Sequence, residues 1–363
     1  MCANLLLITS IERRSSGYIC QQSMKGFIRL LLSGAGILFM GVTAGFYYVV
    51  LAPNTVNEKS VVIKVGQDWD YDSLHAELSR SVLASGSTFE LLAGQMNLAA
   101  NIYPGVYAVE PGLNNRQIIT MFRSGQMREV KVIIRSHQQG ANVFGTLARE
   151  LESDSASIAR AFMDSEEIAD LGLTGDKWAC IFQANTYRFN WASTPRQIVQ
   201  RFVREFNSFW NEDRRAKAEK QGLSPAEVCI LASIVDGEST KTEEMPTIAG
   251  VYLNRLKNRW PLGADPTLLF IAGERGRQRV LNEDKEVEHP YNTYKNLGLP
   301  PGPIMLPSTQ AIQAVLDPED HNYMFFCARA DFSGYHVFAK TLREHNRNAN
   351  KYRRALNERN IYR

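Results

Sequence analysis

The sequence predicts an α+β fold carried behind a single N-terminal transmembrane helix. Three observations point to it. Leu30 to Ala52 contains no charged residue and is long enough to cross a bilayer. Short β-rich runs at Ser60–Val65, Pro104–Val109 and Val130–Arg135 then alternate with stretches of helical periodicity. Downstream of about residue 191 helical signals dominate, and a β-hairpin pattern follows at Tyr323–Ala339.

At 363 residues the chain holds two or three domains of ordinary size. A net charge of +3 is close to balance, so nothing argues for a nucleic-acid partner. Neither a zinc-type Cys/His spacing nor a Gly-rich phosphate loop occurs, and no cofactor or metal is expected. Only three of the five cysteines follow the apolar segment, and they are scattered, which argues against a disulfide framework. Cys229 and Cys327 sit in apolar runs and read as small core residues.

Arg13, Arg14, Lys25 and Arg29 precede the apolar segment, so by the positive-inside rule residues 1–29 are expected in the cytoplasm and everything after about residue 55 on the far side of the membrane. The segment 30–52 is too long for a signal-peptide core, and no good cleavage site follows it. Met24 is an alternative start. Pro53–Lys59 reads as a polar linker. The region 60–128 predicts strand, helix, helix, strand: Ser60–Val65, Tyr71–Leu83, Thr88–Asn97 capped by Ser87, and Pro104–Val109. A further helix, Asn115–Arg123, closes on Ser124-Gly125.

Residues 129–190 form a second small α+β unit or hinge, with a strand at Val130–Arg135 and helices at Asn142–Leu151 and Ala156–Met163. Residues 191–363 form the last domain. The capping box Thr194-Pro-Arg-Gln197 starts a helix running to about Lys220, with Ile198, Phe202, Phe206 and Phe209 on one face. Arg275–Val287 is a charged, exposed excursion, and Ser308–Leu316 a short helix. From Glu344 the tail reads as a solvated basic helix.

The stretch that suggests chemistry is Ser224 to Asp265. Ser224 as N-cap, Pro225 at the first position and Glu227 at the third open a helix with one buried face, marked by Leu231, Ile234 and Val235. Where the apolar stripe ends the chain places Asp236, Gly237 and Glu238. Partial desolvation there favours a neutral carboxyl group, the condition for a proton donor near neutral pH. Asp236 and Glu238 point to different faces, so only one acid is expected, with any second group supplied from elsewhere. A helix at about Pro246–Lys257 and the turn-rich Trp260–Thr267 follow closely, and together these are the parts of a cleft.

Leu231–Glu238, Gly250-Val-Tyr-Leu-Asn-Arg-Leu256, Ala264-Asp-Pro-Thr267, Tyr291-Asn-Thr-Tyr294 and Gly298-Leu-Pro-Pro-Gly-Pro-Ile304 resemble, in order and spacing, the YceG-like family of membrane-anchored endolytic murein transglycosylases. The resemblance implies that Glu238 is the catalytic glutamate and that 191–363 is the catalytic domain. It also implies that 60–128 is a LysM-like sugar-binding region, although any small α+β spacer would show the same pattern. In the family, the segment at 179–187 usually reads Glu-Gly, three residues, then Pro-Asp-Thr-Tyr. Here Ala179, Cys180, Ala184 and Asn185 stand instead, while Thr186 and Tyr187 remain, so this loop loses two acids.

A lytic variant of glycoside cleavage is what the resemblance implies. Glu238 protonates the oxygen between MurNAc and GlcNAc, and the MurNAc 6-hydroxyl attacks C1 to leave a 1,6-anhydro end. One carboxylate can serve both steps because the nucleophile belongs to the substrate. Asp265 is the best second carboxylate, or else the cap of the helix begun by Asp-Pro-Thr267. Asn254 and Arg255 are candidates to bind N-acetyl or lactyl groups, or a helix face paired with acids such as Glu243. Thr267, Tyr291, Asn292, Tyr294 and Asp236 complete the candidate substrate-binding set. His336 reads as a paired cross-strand residue of the hairpin. The expected partners are peptidoglycan glycan strands and the inner membrane, with wall-synthesis enzymes as candidates. The alternative is a catalytically weakened, membrane-anchored peptidoglycan-binding scaffold.

Overall fold

The computed structural model describes residues 31–274 and 282–359. The N-terminal segment with Met24, the first half of the charged stretch after Arg275 and the end of the basic tail lie outside the described residues. The fold is mixed α+β. The described residues up to Arg128 form one compact unit and those from Glu129 another.

Helix α1, Leu31–Leu51, has 21 residues and a mean hydropathy of 1.7 in its most apolar window. Leu32, Leu38, Phe39 and Met40 face outward, an apolar surface that a water-exposed helix does not carry. By length and composition α1 is a candidate membrane span or signal sequence. Its last turn, Tyr47–Leu51, is π-helical, and the amide of Asn115 donates to Val49 O at 2.8 Å.

In the first unit, strand β1 (Val61–Val65) pairs antiparallel with β2 (Gly105–Val109), from Val61↔Val109 to Val65↔Gly105. Helices α2 (Tyr71–Ser81) and α3 (Gly86–Gln95) lie between the two strands in sequence, and α4 (Asn115–Ser124) comes after them. Alternation in β1 sends Ile63 and Val65 into a core with Leu74, Leu78, Phe89, Tyr107 and Phe122. Burying each of these side chains contributes ~2 kcal/mol. One expectation is corrected here. Ser85, not Ser87, caps α3, because its side chain accepts from Thr88 N. Pro53–Lys59, expected as a short polar linker, is tied into this unit: buried Asn54 bonds Ser85 and Asn115, and Thr55 bridges Leu83.

The second unit opens with β3 (Glu129–Ile134), which pairs antiparallel with β4 (Asn185–Asn190). Helices α5 (Ala141–Glu150), α6 (Ser155–Met163) and the short α7 (Glu166–Ala169) come between them. Phe144, Phe162, Phe182 and Phe202 pack ring against ring at 4.9–6.0 Å. One core runs from Val132 through Phe202 and Leu231 to Leu316, so residues 129–190 share their interior with the helices downstream of them.

The expected single helix from Pro195 to Lys220 is two, α8 (Pro195–Phe209) and α9 (Glu212–Lys220). Trp210 leaves helical geometry at ψ 62, and Asn211 caps α9 by accepting from Arg214 N. The guanidinium groups of Arg214 and Arg215 donate to the carbonyls of Phe209 and Trp210, satisfying acceptors that the break exposes.

Helix α10 (Pro225–Glu238) carries the capping box of Ser224 and Glu227. It is buried all round rather than on one side, because α9, α11 (Met245–Lys257), α12 (Asp265–Glu274) and α13 (Thr309–Leu316) all pack against it. The hairpin β5 (Phe325–Ala328) and β6 (His336–Ala339) then packs on α14 (Leu342–Glu358).

Candidate active site

Glu238 is the last residue of α10, and Gly237 decides what can approach it. A Cβ on Gly237 would stand 2.8 Å from Pro266 Cβ, so only glycine lets the first turn of α12 close on the end of α10. That approach brings Asp265 to the same cavity as Glu238. The cavity measures about 680 Å³. It is lined by Arg255, Trp260, Gly263, Asp265 and Tyr294, by the hairpin residues Phe325–Ala328 and His336, and by His345 and Tyr352 from α14.

From α11, Tyr252 Oη donates to Glu238 Oε1 at 2.5 Å. Glu238 is only half-buried as a residue because the cavity opens on it, yet its carboxyl group is packed among protein atoms. Burial pushes its pKa up from 4.5 to about 7. The Tyr252 hydrogen bond opposes that rise, the nearby Asp265 adds to it, and Arg255 counters it. Burial and the Glu238 charge hold the Tyr252 phenol well above its ordinary value, so it remains a donor. Burial lowers the pKa of Arg255. It also depresses that of His345, helped by the Arg255 charge, which favours a neutral imidazole. The Nδ1 of His345 is buried with no hydrogen-bond partner among the described residues.

The match to the YceG-like family model runs over residues 63–351, most of the chain. The chain belongs to the YceG-like family. Over 174 residues it is 38% identical to an endolytic murein transglycosylase of Bacillus subtilis, covering 48% of this chain and 47% of that protein. It is 23% identical over 360 residues to an endolytic murein transglycosylase of Streptococcus pneumoniae D39, covering 90% of this chain and 65% of that one. The match thus spans about half the length of the first relative and under two thirds of the second. A crystal structure of a yceG-like protein from Listeria monocytogenes superposes with a TM-score of 0.51 at 26% identity, covering 80% of this chain and 99% of that one. Every cavity-lining residue except Tyr352 falls within the YceG-like match.

Of the candidate catalytic and substrate-binding residues named from the sequence, Glu238, Arg255, Asp265 and Tyr294 meet at this cavity, and His336 and Cys327, read as structural, line it too. Asp265 is the first residue of α12, and its carboxylate accepts from Tyr294 Oη at 2.6 Å. Among the described residues, neither Asn254 nor Arg255 forms an ion pair or hydrogen bond with an acid. Asn254 donates to the carbonyls of His321 and Tyr323, and Arg255 to those of Met324 and Leu262. Both therefore fasten the approach to the hairpin onto α11. Asp236 faces away from the cavity, 4% exposed, and accepts from Ser308 N at 2.7 Å and Ser308 Oγ at 3.1 Å. Thr267 is buried on Ala264 and Thr293. Asn292 is buried with its amide on the carbonyls of Lys285 and Val287. Tyr291 stacks on Phe270 at 4.7 Å. These four do not line the cavity.

Sequence reasoning missed Tyr252, Phe325, Phe326, His345 and Tyr352, although it did place the turn that begins at Trp260 in the cleft. Tyr252 carried a signal, since it lies in the Gly250–Leu256 block. The paired aromatics Phe325-Phe326 in a hairpin strand were a weaker one. Nothing local tied either α14 residue to Glu238. Among the described residues, no group of three or more His, Cys, Asp or Glu side chains is arranged to hold a metal ion.

Proposed function

We propose that this YceG-like protein is an endolytic lytic transglycosylase of peptidoglycan, cutting between MurNAc and GlcNAc and leaving a 1,6-anhydro-MurNAc end. The observation that carries the reading is Glu238: a carboxyl group whose pKa of about 7 leaves it substantially protonated near neutral pH, set in a cavity large enough for sugar rings. Protonated, it can deliver its proton to the glycosidic oxygen as the bond to C1 breaks. The carboxylate left behind accepts from Tyr252 and is attracted by Arg255, so the ionised state is supported as well. One residue can thus act as acid and then as base, the MurNAc 6-hydroxyl serving as nucleophile. The best placed second carboxylate, Asp265, is engaged by the Tyr294 hydroxyl. The names of the curated relatives support the same reaction.

In this reading α1 anchors the chain in the inner membrane with residues 1–29 in the cytoplasm, and the chain after α1 lies in the periplasm. The strand–helix–helix–strand order of the first unit supports a LysM-like role in holding glycan. Wall-synthesis enzymes are the candidate protein partners. The test is mass spectrometry of muropeptides released from purified sacculi by the full-length protein in detergent micelles. Anhydro ends are expected. Reducing ends alone would mean a muramidase that uses water, and no release would mean a binding scaffold.

A further inference from the structure

Glu238 shares its cavity with other titratable side chains. His336 of β6 lines the same cavity as Glu238, and its ring is fixed by a carboxylate from another element. Nδ1 of His336 lies 3.1 Å from Oε2 of Glu244, while the backbone N–H of His336 donates to Oε1 at 2.7 Å. The two contacts clamp one carboxylate on one residue. Glu244 is 8% exposed and directly precedes α11, whose N-terminus favours a negative charge there. The Phe326 ring stands edge-on to the imidazole at 5.4 Å, which limits its rotation.

Hydrogen bonding to a carboxylate makes Nδ1 the donor and leaves the Nε2 lone pair free. Among the described residues Nε2 has no protein partner and is not sealed from solvent. A carboxylate, an imidazole oriented by it and an unpaired ring nitrogen on a residue that lines a reaction cavity are the parts that activate a hydroxyl nucleophile. No serine, threonine or cysteine hydrogen-bonds His336 among the described residues, so the hydroxyl must arrive with the substrate.

We propose that His336, oriented by Glu244, is a second catalytic residue that takes the proton of the substrate hydroxyl attacking C1. The proposal rests on the transglycosylase reading and changes one step of it. Glu238 gives its proton to the leaving oxygen as the C1–O bond breaks. The oxygen of the 6-hydroxyl supplies the electron pair for the new C1–O bond, and its proton passes to Nε2 of His336. Glu244 stabilises the imidazolium so formed, and exchange with solvent returns that proton and restores Glu238.

The test compares full-length wild type, His336→Ala and Glu244→Gln on purified sacculi, reading turnover, the share of anhydro ends and thermal midpoints. His336→Ala should lose about 100-fold or more in turnover, with a smaller share of anhydro ends as water competes with the unactivated hydroxyl. Glu244→Gln can present its amide N–H to Nδ1, favouring the wrong tautomer, and should lose about tenfold or more with KM little changed. Either variant turning over within threefold of wild type overturns the proposal. So does a lower thermal midpoint with the anhydro share unchanged, the result of a merely structural role. Should His336→Ala fail to fold, Glu244→Gln and its product ratio decide alone. Wild-type protein leaving only reducing ends overturns the transglycosylase reading and this proposal with it. Wild-type anhydro ends with unaffected variants overturn this proposal alone.

Discussion

The hydroxyl of Tyr252, on α11, donates to Oε1 of Glu238, at the end of α10, across 2.5 Å. Burial and this bond act on the carboxyl group in opposite directions: burial favours the proton, and the hydrogen bond favours the charge. These are the two largest influences behind the pKa of about 7, with Asp265 raising it further and Arg255 lowering it.

Tyr252→Phe removes one of these influences. Tyr252 is 1% exposed and edge-on to Phe326 at 5.9 Å, so the ring can keep its packing without the hydroxyl. The kinetic pKa of the acid should rise, extending activity to higher pH, with a loss of about tenfold or less at the optimum. The pH profile of kcat/KM checks this. A fall in the kinetic pKa would contradict it.

Glu238 should also make stability depend on pH. In the unfolded chain its carboxyl titrates near 4.5, and in the folded protein near 7. Below pH 4.5 both states are protonated and the group's contribution is intact. Between 4.5 and 7 the unfolded state ionises first, so stability falls as pH rises. The full shift corresponds to ~3 kcal/mol, reduced by the opening to solvent to about 1–2 kcal/mol. Glu238→Gln should therefore be more stable than wild type at pH 8 by that amount relative to its difference at pH 4. Chemical denaturation at both values measures it, and a pH-independent difference would refute it.

Asp236 should matter for folding rather than for turnover. Its carboxylate holds Ser308 N and Oγ at the start of α13 and lies 3.4 Å from His137 Nε2. Asp236→Ala leaves those donors unpaired and should cost roughly 2–4 kcal/mol of unfolding free energy. Asp236→Asn should keep most activity per folded molecule. A loss from Asp236→Asn as large as that from Glu238→Gln would place the acid wrongly.

Asn185, where the family pattern has an acid, begins β4 opposite Ile134 and does not line the cavity. Asn185→Ala should lower activity by less than about tenfold, under ~1.4 kcal/mol of barrier. Steady-state rates on sacculi decide the point.

Legibility in the sequence tracks the range of the forces involved. Capping boxes at Thr194 and Ser224 are local hydrogen bonds, and both helices start where they indicate. Glu238 stood out because it ends an apolar helix. The break at Trp210–Asn211 was hidden, since the arginines that satisfy it are ordinary helix formers. Strand β4 escaped sequence reasoning although Tyr187 and Phe189 alternate with exposed Thr186 and Arg188. Its pairing with β3 is long-range, and so short an alternation does not announce it. The C-terminal part of the cavity lining is a tertiary event: Phe325, His336 and His345 share a cavity with Glu238 only after the chain folds back. Asn292 and Thr267, both chosen as polar site residues, are buried on backbone carbonyls instead, a role that composition does not distinguish from ligand binding.

The measurement closest to the central claim is the muropeptide product of Glu238→Gln on purified sacculi. Glutamine keeps the shape and can still meet Tyr252, but it neither gives nor takes a proton. A general acid is worth roughly 10²–10⁴-fold, so the variant should fold, bind glycan and release almost no anhydro ends. Anhydro ends appearing at a rate within tenfold of wild type would show that the acid lies elsewhere.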